Sequence, residues 1–535
     1  MKIADSLKSA AGYDIIEVYI TRHKFLLTQI HIRRCNMHKK ITSGILALLM
    51  LLSTVSCAES ENTDDTSANT PTAAETAASA DGTGEDTAAE TEADDGTLAQ
   101  VISLYSDRNY DGYDFRVLDR SPGHWGTEDV FVEEMTGEPI NDAVFERNNL
   151  LATHLNVNVV ETQAGSPVGT LKTSVAAQTD DYDVVTDGLS VLAGIVAANY
   201  LMDYNAIPEV ISGNKWWDQQ LIDGMSVAGK TFMMTGDISI MDNYGTWCMM
   251  FNKGIIESHT LENPYTLVEE GRWTLDKLEE MAAAATADLN GDGKWTTDDQ
   301  YGFVSEAYNT YGLYICFGNK LTERDEAGMP YFVYETEESI TALANILDVQ
   351  YSDCCNMGLF PGLGREDHFK AGGGLFYFAG MINITAFRDS DTDFGIIPAP
   401  KENEAQEQYY STYSPENMTA YSIPVTTTDS ARVGDILEAM AGFSAYTLTP
   451  AYYEKTLMGK SVRDQESQPM IELILSTRNF DLGSIFDWGK TASTIRGLEN
   501  SGNVASALKK ISKMANKGIS KWIDEVTAMN EGTAE

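Results

Sequence analysis

A twelve-residue stretch from Asp288 to Asp299 has the spacing of a calcium-binding loop. The oxygen ligands expected at loop positions 1, 3, 5, 7, 9 and 12 are Asp288, Asn290, Asp292, the Lys294 carbonyl, Thr296 (directly or through a water) and Asp299. Gly293 falls where such a loop turns most sharply, whereas Asp299 replaces the longer glutamate that usually ends it. The stretch predicts a structural calcium site. The alternative is an acidic turn that binds no ion.

Few residues in the chain suit catalysis. Of its seven histidines, only His124, His154, His259 and His368 lie beyond residue 57. The sequence has no HExxH, GxSxG or GxxxxGK[ST] pattern. A surface glycosidase, which needs two facing carboxylates, stays an alternative, although so acidic a chain will always offer such a pair. We therefore predict a protein that is not an enzyme.

Acidic residues dominate the composition, with 80 Asp and Glu against 37 Lys and Arg and a net charge of −43. Contacts to phosphates need clustered cations, so this balance argues against nucleic-acid binding. Four of the six cysteines, Cys248, Cys316, Cys354 and Cys355, lie in the predicted folded part without CxxC spacing. This pattern favours buried thiols over a zinc site or a disulfide framework.

The first 97 residues are predicted to target and tether the protein. An uncharged run over 41–55 follows two lysines and is short for a membrane-spanning helix, which indicates a signal peptide. Residues 52–57 resemble the lipobox of bacterial lipoproteins, in which Cys57 would receive the lipid anchor, palmitate included. Residues 1–36 form an upstream extension, either untranslated or a long n-region. Residues 58–97 hold twelve acids and no Lys or Arg, which predicts a disordered tether at the outer face of the cell membrane.

Beyond residue 97, strand-like and helical patterns alternate. Strand-like runs cover 113–118, 157–160, 182–185, 246–251, 301–304, 375–378 and 394–397, and helical patterns cover 142–155, 171–178, 191–201, 275–287, 339–351 and 505–529. Thr274 is predicted to cap the helix that follows it. Such alternation predicts an α/β fold with helices covering both faces of a parallel sheet.

Several short motifs, taken in their order along the chain, resemble those of the extracellular solute-binding proteins (family 1 type) that serve carbohydrate ABC importers. The resemblance runs from about Asp111 to the C-terminus. Its carriers are residues 141–148 (NDAVFERN), 182–185 (YDVV), 215–218 (KWWD), 250–253 (MFNK), 262–265 (ENPY), 272–275 (RWTL) and 394–401 (FGIIPAPK).

The resemblance implies a periplasmic-binding-protein-like fold: two α/β domains joined by a hinge, and a helical C-terminal region. Domain I would comprise 98–244 and 368–421, and domain II 245–367 and 422–535, with crossings near 243–245 and 370–374. It also implies a monomer that captures an oligosaccharide in the interdomain cleft and delivers it to the ABC permease subunits. Another polar solute, such as a peptide, is the alternative ligand.

Sugar sites combine aromatic faces, for the apolar faces of the sugar, with planar polar groups, for its hydroxyls. Aromatic residues beside glycines or polar residues near predicted strand ends are therefore the candidates, and for each of them core packing is the alternative. The candidates are Trp125, Tyr244, Trp247, Tyr308, Tyr311 and Trp488, with Asp187, Asn243, Glu306 and Asp487 as polar partners. Tyr244 and Trp247 are the strongest, because they lie on a predicted crossing between the domains.

Overall fold

The computed structural model describes residues 96–121, 129–357, 364–387, 390–453 and 465–532, without the side chains of 529–532. All of them belong to one compact unit, Glu90–Glu535. The predicted signal peptide, Cys57, Trp125 and most of the predicted tether lie outside the described residues. Within those ranges, no helix has both the length and the apolar character needed to cross a bilayer.

The first lobe is built on a four-stranded sheet in the order β11-β3-β1-β2. Its strands, numbered in chain order, are β1 (Tyr113–Arg120), β2 (Val157–Ala164), β3 (Val184–Gly188) and β11 (Thr419–Ser422). Strand β1 runs parallel to β2 and β3, whereas β11 joins the edge of β3 antiparallel. Every residue of β3 is buried, as its run of small and β-branched residues predicts.

Helices cover both faces of this sheet. They are α1 (Thr97–Leu104), α2 (Pro139–Leu155), α3 (Pro167–Ala177), α4 (Leu189–Val196), α5 (Gln219–Met225), α14 (Ser430–Tyr446) and α15 (Leu448–Tyr453), with a short 3-10 turn at Tyr204–Ala206. Helix α2 begins where Pro139 fixes the first turn and the Glu138 carboxylate accepts from the backbone N–H groups of Ile140 and Asn141.

A buried carboxylate anchors α14 to the rest of the first lobe. Glu438 has no exposed surface. It accepts hydrogen bonds from the indole N–H groups of Trp216 and Trp217, both at 2.8 Å, from the Ile211 N–H at 3.2 Å and from the Asn214 amide. Four donors thus satisfy one carboxylate in the core. The adjacent tryptophans of the family-like motif are core residues held by this contact.

The second lobe is built on a five-stranded mixed sheet in the order β10-β4-β9-β5-β8. Its strands are β4 (Trp247–Asn252), β5 (Tyr301–Val304), β8 (Cys355–Asn356), β9 (Gly374–Gly380) and β10 (Phe394–Ile397), and a separate hairpin pairs β6 (Thr322–Arg324) with β7 (Pro330–Phe332). Strand β4 runs antiparallel to both β10 and β9, whereas β5 is parallel to β9 and β8.

The helices of the second lobe pack on this sheet. They are α7 (Lys253–His259), α8 (Pro264–Glu269), α9 (Leu275–Ala285), α10 (Ala307–Cys316), α11 (Glu337–Gln350), α12 (Arg365–Lys370), α13 (Ile382–Ala386), α16 (Ser467–Ser476) and α18 (Thr491–Arg496). Thr274 caps α9 as predicted, because its hydroxyl accepts from the Lys277 N–H. Helix α9 lies so close to β5 that a Cβ at Gly302 would sit 2.0 Å from the Ala282 carbonyl oxygen, so the contact requires glycine.

The remaining elements connect the lobes. They are α6 (Met241–Tyr244), α17 (Leu482–Phe486), α19 (Val504–Gly532) and the 3-10 turns Trp488–Lys490 and Ser501–Asn503. The first part of α19 contributes Leu508 to the core of the second lobe, and its later part contributes Trp522 to a core cluster of the first.

The sheets correct the predicted domain boundaries in two places. Residues 368–421 were assigned to domain I, but β9 and β10 pair with β4 in the second sheet. Residues 422–535 were assigned to domain II, but α14 packs against α1 and α2 in the core of the first lobe. A strand-like run in the sequence predicts where a strand forms. Which sheet the strand joins depends on pairing partners that lie far away in the chain.

Candidate functional site

Three described chain segments lie side by side where the lobes meet. Their backbones are joined by hydrogen bonds: the Trp247 N–H donates to Thr412 at 2.9 Å, and the Ser411 N–H donates to Thr477 at 2.9 Å. The segment around residues 243–247 crosses between the lobes as predicted. The other predicted crossing, at 370–374, is wrong, because those residues connect α12 to β9 within the second lobe.

A buried ion cluster ties these segments together. The Arg478 guanidinium lies 2.8 Å from the Asp218 carboxylate and 3.5 Å from that of Asp242, and all three side chains are at most 9% exposed. Arg478 also donates to the Asn243 amide oxygen at 3.3 Å. Burial raises the pKa of Asp242 to about 7, although Arg478 opposes this shift. One arginine therefore offsets two carboxylates at the junction.

A cavity of about 720 Å³ opens beside the crossing segments. Its walls are formed by residues of the second lobe and by the chain segments that lead into the first lobe. Its lining residues are Tyr244, Gly245, Trp247, Glu306, Tyr308, Gly364, Arg365, Glu366, Asp367, Tyr377, Ala379, Gly380, Asn383, Ser414, Glu416, Asn417 and Arg496. Both the size and the mixed aromatic and polar lining suit a small ligand.

An aromatic stack forms one wall of the cavity. The indole of Trp247, the first residue of β4, stacks on the Tyr308 ring with centroids 4.9 Å apart and an angle of 16°. The Arg496 guanidinium lies 4.0 Å from the centroid of the same ring and donates to the Tyr308 hydroxyl at 3.0 Å. The indole and the guanidinium together cover the Tyr308 ring. Tyr308 therefore positions Trp247 and Arg496 rather than offering a free face of its own.

Ion pairs form the polar walls. Glu306 and Arg365 are 2.6 Å apart, and Glu416 and Arg496 are 3.0 Å apart. Glu306 is held at the start of α10, where its N–H donates to the Asn309 side chain at 2.8 Å. The Glu416–Arg496 pair joins the segment that leads into β11 of the first lobe to α18 of the second. These pairs fix planar donors and acceptors around the cavity.

The structure brings four of the ten predicted ligand residues to the cavity wall: Tyr244, Trp247, Glu306 and Tyr308. Their contact with a ligand stays a prediction. Tyr311 is 1% exposed and does not line the cavity. Asn243 adjoins the wall and accepts from Arg478, as described above. Asp187 is the penultimate residue of β3. Its carboxylate accepts from the Gly188 N–H, and burial raises its pKa.

Two predicted residues lie elsewhere. Trp488 stacks on Phe486 with centroids 4.8 Å apart and also contacts Trp522, so it is a core residue. Asp487 accepts from the Ala492 N–H and the Ser493 hydroxyl, which makes it part of the turn that starts α18. Neither residue lines the cavity. Gly489 beside them has a positive φ of 68° and belongs to a tight turn.

Sequence reasoning missed several wall residues, among them Arg365, Glu366, Asn383, Glu416 and Arg496. The only sequence signals were the polar run after Gly364, which contains Arg365 and Glu366, and the polar run before β11, which contains Glu416. The others are brought to the wall by tertiary packing, which no local pattern encodes.

In the predicted calcium loop, carboxylates accept hydrogen bonds from backbone N–H groups of the loop itself. The Asp288 carboxylate accepts from the Gly291 and Gly293 N–H groups at 2.7 and 2.8 Å, and these N–H groups lower the pKa of Asp288. Asp299 is 1% exposed and accepts from the Leu289 and Thr296 N–H groups. Among the described residues, no three His, Cys, Asp or Glu side chains stand close enough to hold a metal ion.

Calcium binding by this loop stays a prediction. Chelator-stripped protein is expected to bind one calcium ion in calorimetry, because Asp288, Asn290 and Asp292 supply the oxygen ligands that calcium prefers. In Asp292→Ala, the heat of calcium binding should be absent. Asp325→Ala, which removes a carboxylate from the β6–β7 turn, is the control and should not. A stripped wild type that takes up no calcium contradicts the prediction.

Solved structures of ABC-transporter binding proteins are similar to this fold. An ABC substrate-binding protein from Listeria monocytogenes, solved with cycloalternan, has a TM-score of 0.50 and 13% identity over 77% of this chain and 100% of that chain. The mannotriose-bound protein CpMnBP1 has a TM-score of 0.50 and 16% identity, covering 75% of this chain and 100% of that one. A solute-binding protein from Thermotoga lettingae, bound with α-D-tagatose, has a TM-score of 0.50 and 12% identity, covering 76% and 100%.

Identities at this level establish the fold alone. The predicted periplasmic-binding-protein-like fold, with its two α/β lobes, is confirmed. No family model matches the chain, and no curated protein sequence matches it.

Proposed function

We propose that this chain is the carbohydrate-binding component of an ABC importer, which captures an oligosaccharide in the cavity and presents it to the membrane permease. The observation that carries the proposal is the cavity beside the crossing segments, which is lined by the Trp247–Tyr308 stack together with fixed carboxylates and guanidinium groups. The cycloalternan, mannotriose and tagatose bound to proteins of similar fold support a sugar as the ligand.

Binding is proposed to close the lobes without chemical turnover. A ligand shifts a conformational equilibrium only when it contacts one state better than the other. The Glu416 side chain comes from the segment entering the first lobe, whereas Trp247 and Glu306 belong to the second. A sugar that touches both groups stabilises the closed arrangement, and the permease can then recognise a loaded protein by its shape.

Trp247→Ala is expected to weaken sugar binding tenfold or more, because an aromatic contact contributes about 1 kcal/mol beyond the area it buries. Trp247→Phe keeps an aromatic ring against Tyr308 and should retain most of the affinity. Calorimetry against a panel of neutral oligosaccharides measures both variants, with small-angle scattering to follow compaction.

Trp295→Ala is the matched control, since Trp295 is 42% exposed and lies outside the cavity. Circular dichroism verifies that each variant is folded. The proposal fails if no sugar in a broad panel binds the wild type, or if binding occurs without compaction. Release of reducing ends from a bound oligosaccharide would favour the glycosidase alternative instead.

A lipid anchor at Cys57 is part of this proposal. The small residues before Cys57 and the acidic, solvated segment after it support an anchored protein held away from the membrane. Cys57→Ser is expected to move the protein from the membrane fraction to the medium, as followed by fractionation and immunoblotting. Unchanged membrane association of this variant would contradict the anchor.

A further inference from the structure

Both cations that line the cavity are already paired with carboxylates of its walls. Arg365 and Arg496 are the only cations among the described lining residues. Arg365 is held by Glu306 at 2.6 Å, and Arg496 is held by Glu416 at 3.0 Å. The charge of each guanidinium is therefore already balanced by a carboxylate, so an anionic ligand gains less from it than from an unpaired cation.

Carboxylates outnumber cations on these walls. Beyond Glu306 and Glu416, the lining includes Glu366 and Asp367, which gives four acids against two arginines. Glu366 is engaged from behind the wall by Lys370 at 2.6 Å, and it accepts from the Asn383 amide at 3.0 Å. A ligand carboxylate entering the cavity would meet an excess of negative charge.

Neutral sugars suit such walls better than acidic ones. A carboxylate fixed by an ion pair keeps free lone pairs that accept from sugar hydroxyls, and a fixed guanidinium keeps N–H groups that donate to them. Because the ion pairs hold these groups in place before binding, little ordering is left for the ligand to impose. A uronate that approaches either guanidinium would instead bring its charge beside the carboxylate of Glu306 or Glu416, which is repulsive.

We propose that the cavity selects neutral oligosaccharides and discriminates against their uronate forms, and that the Glu416–Arg496 pair carries much of this discrimination. The inference rests on the proposed sugar-binding function and names the class of sugar. Glu416 is the pivotal residue because it is half exposed and comes from the side of the first lobe. Its removal would free Arg496 without removing any donor from the wall.

The test compares one neutral oligosaccharide with its C6-oxidised form. The tightest neutral binder of the panel and its uronate counterpart are titrated into full-length folded protein by calorimetry. The uronate is expected to bind the wild type at least 100-fold more weakly. In Glu416→Gln, which leaves Arg496 without its carboxylate, affinity for the uronate should rise at least tenfold.

Glu404→Gln is the control, because it removes the same charge from an exposed loop outside the cavity. It should leave the ratio of the two affinities unchanged. A wild type that binds the uronate as tightly as the neutral sugar overturns the selectivity alone. A Glu416→Gln protein with unaltered preference overturns the role of the Glu416–Arg496 pair in that selectivity. Binding of neither form overturns the proposed function, and the selectivity with it.

Discussion

Arg478→Met is expected to lower the free energy of unfolding by about 3–5 kcal/mol, because removing one partner of a buried ion pair leaves an uncompensated charge. Here two buried carboxylates, Asp218 and Asp242, would lose their shared cation. Methionine preserves most of the side-chain volume, so the loss reports charge rather than a void. Urea unfolding with linear extrapolation measures it.

A second substitution tests whether the uncompensated carboxylates cause the loss of stability in Arg478→Met. Arg478→Met/Asp242→Asn should recover part of the stability, because one of the uncompensated charges is then gone. Arg272→Met, which breaks exposed ion pairs to Glu262 and Glu270, is the control and should change stability little. Equal stability of Arg478→Met and the wild type would show that the cluster does not hold the junction.

The loss of stability in Arg478→Met should depend on pH. The folded pKa of Asp242 is raised by burial to about 7, so the folded state binds this proton more tightly than the unfolded state does. The contribution of Asp242 to stability is therefore fully present below its unfolded pKa and is lost as the pH rises through 7. The loss in Arg478→Met should consequently be smaller at pH 5, where Asp242 is neutral, than at pH 8.

Glu438→Ala is expected to lower the free energy of unfolding by about 4 kcal/mol, since buried donors left without partners cost about 1–3 kcal/mol each. The donors are the two indole N–H groups of Trp216 and Trp217, the Asn214 amide and one backbone N–H. Thermal and urea unfolding provide the measurement.

Glu438→Gln separates hydrogen bonding from packing. Glutamine keeps the volume and one accepting oxygen, but its amide nitrogen cannot accept, so an intermediate loss is expected. Glu404→Ala, on an exposed loop, should leave stability nearly unchanged. If Glu438→Gln were as damaging as Glu438→Ala, the volume of the side chain and one accepting oxygen would not be enough, and the stabilisation would require both carboxylate oxygens.

Local elements were predictable from sequence because their causes are local. Thr274 caps α9 through a contact three residues away, and β4 is a run of apolar residues that a buried strand requires. Tyr244 and Trp247 line the cavity. Their place there could be predicted because the resemblance put both residues on a crossing segment between the lobes.

Distant partners were not predictable in this way. Trp216 and Trp217 owe their burial to Glu438, more than 200 residues away. The Glu416–Arg496 pair likewise joins residues 80 positions apart. Trp488 and Trp247 look alike as tryptophans near glycines and polar residues, yet one fills a core and the other lines a cavity. Only tertiary packing distinguishes them.

The order of the strands along the chain constrains how the protein can be made. Strand β11, which completes the first sheet at the edge of β3, follows all five strands of the second sheet in the sequence. During synthesis the first sheet therefore has an unpaired strand edge until the strands of the second sheet have emerged, and the surface that α14 later covers is still exposed. Such long-range pairing slows folding and leaves an edge open to aggregation in the meantime. The sheet that begins first is completed last.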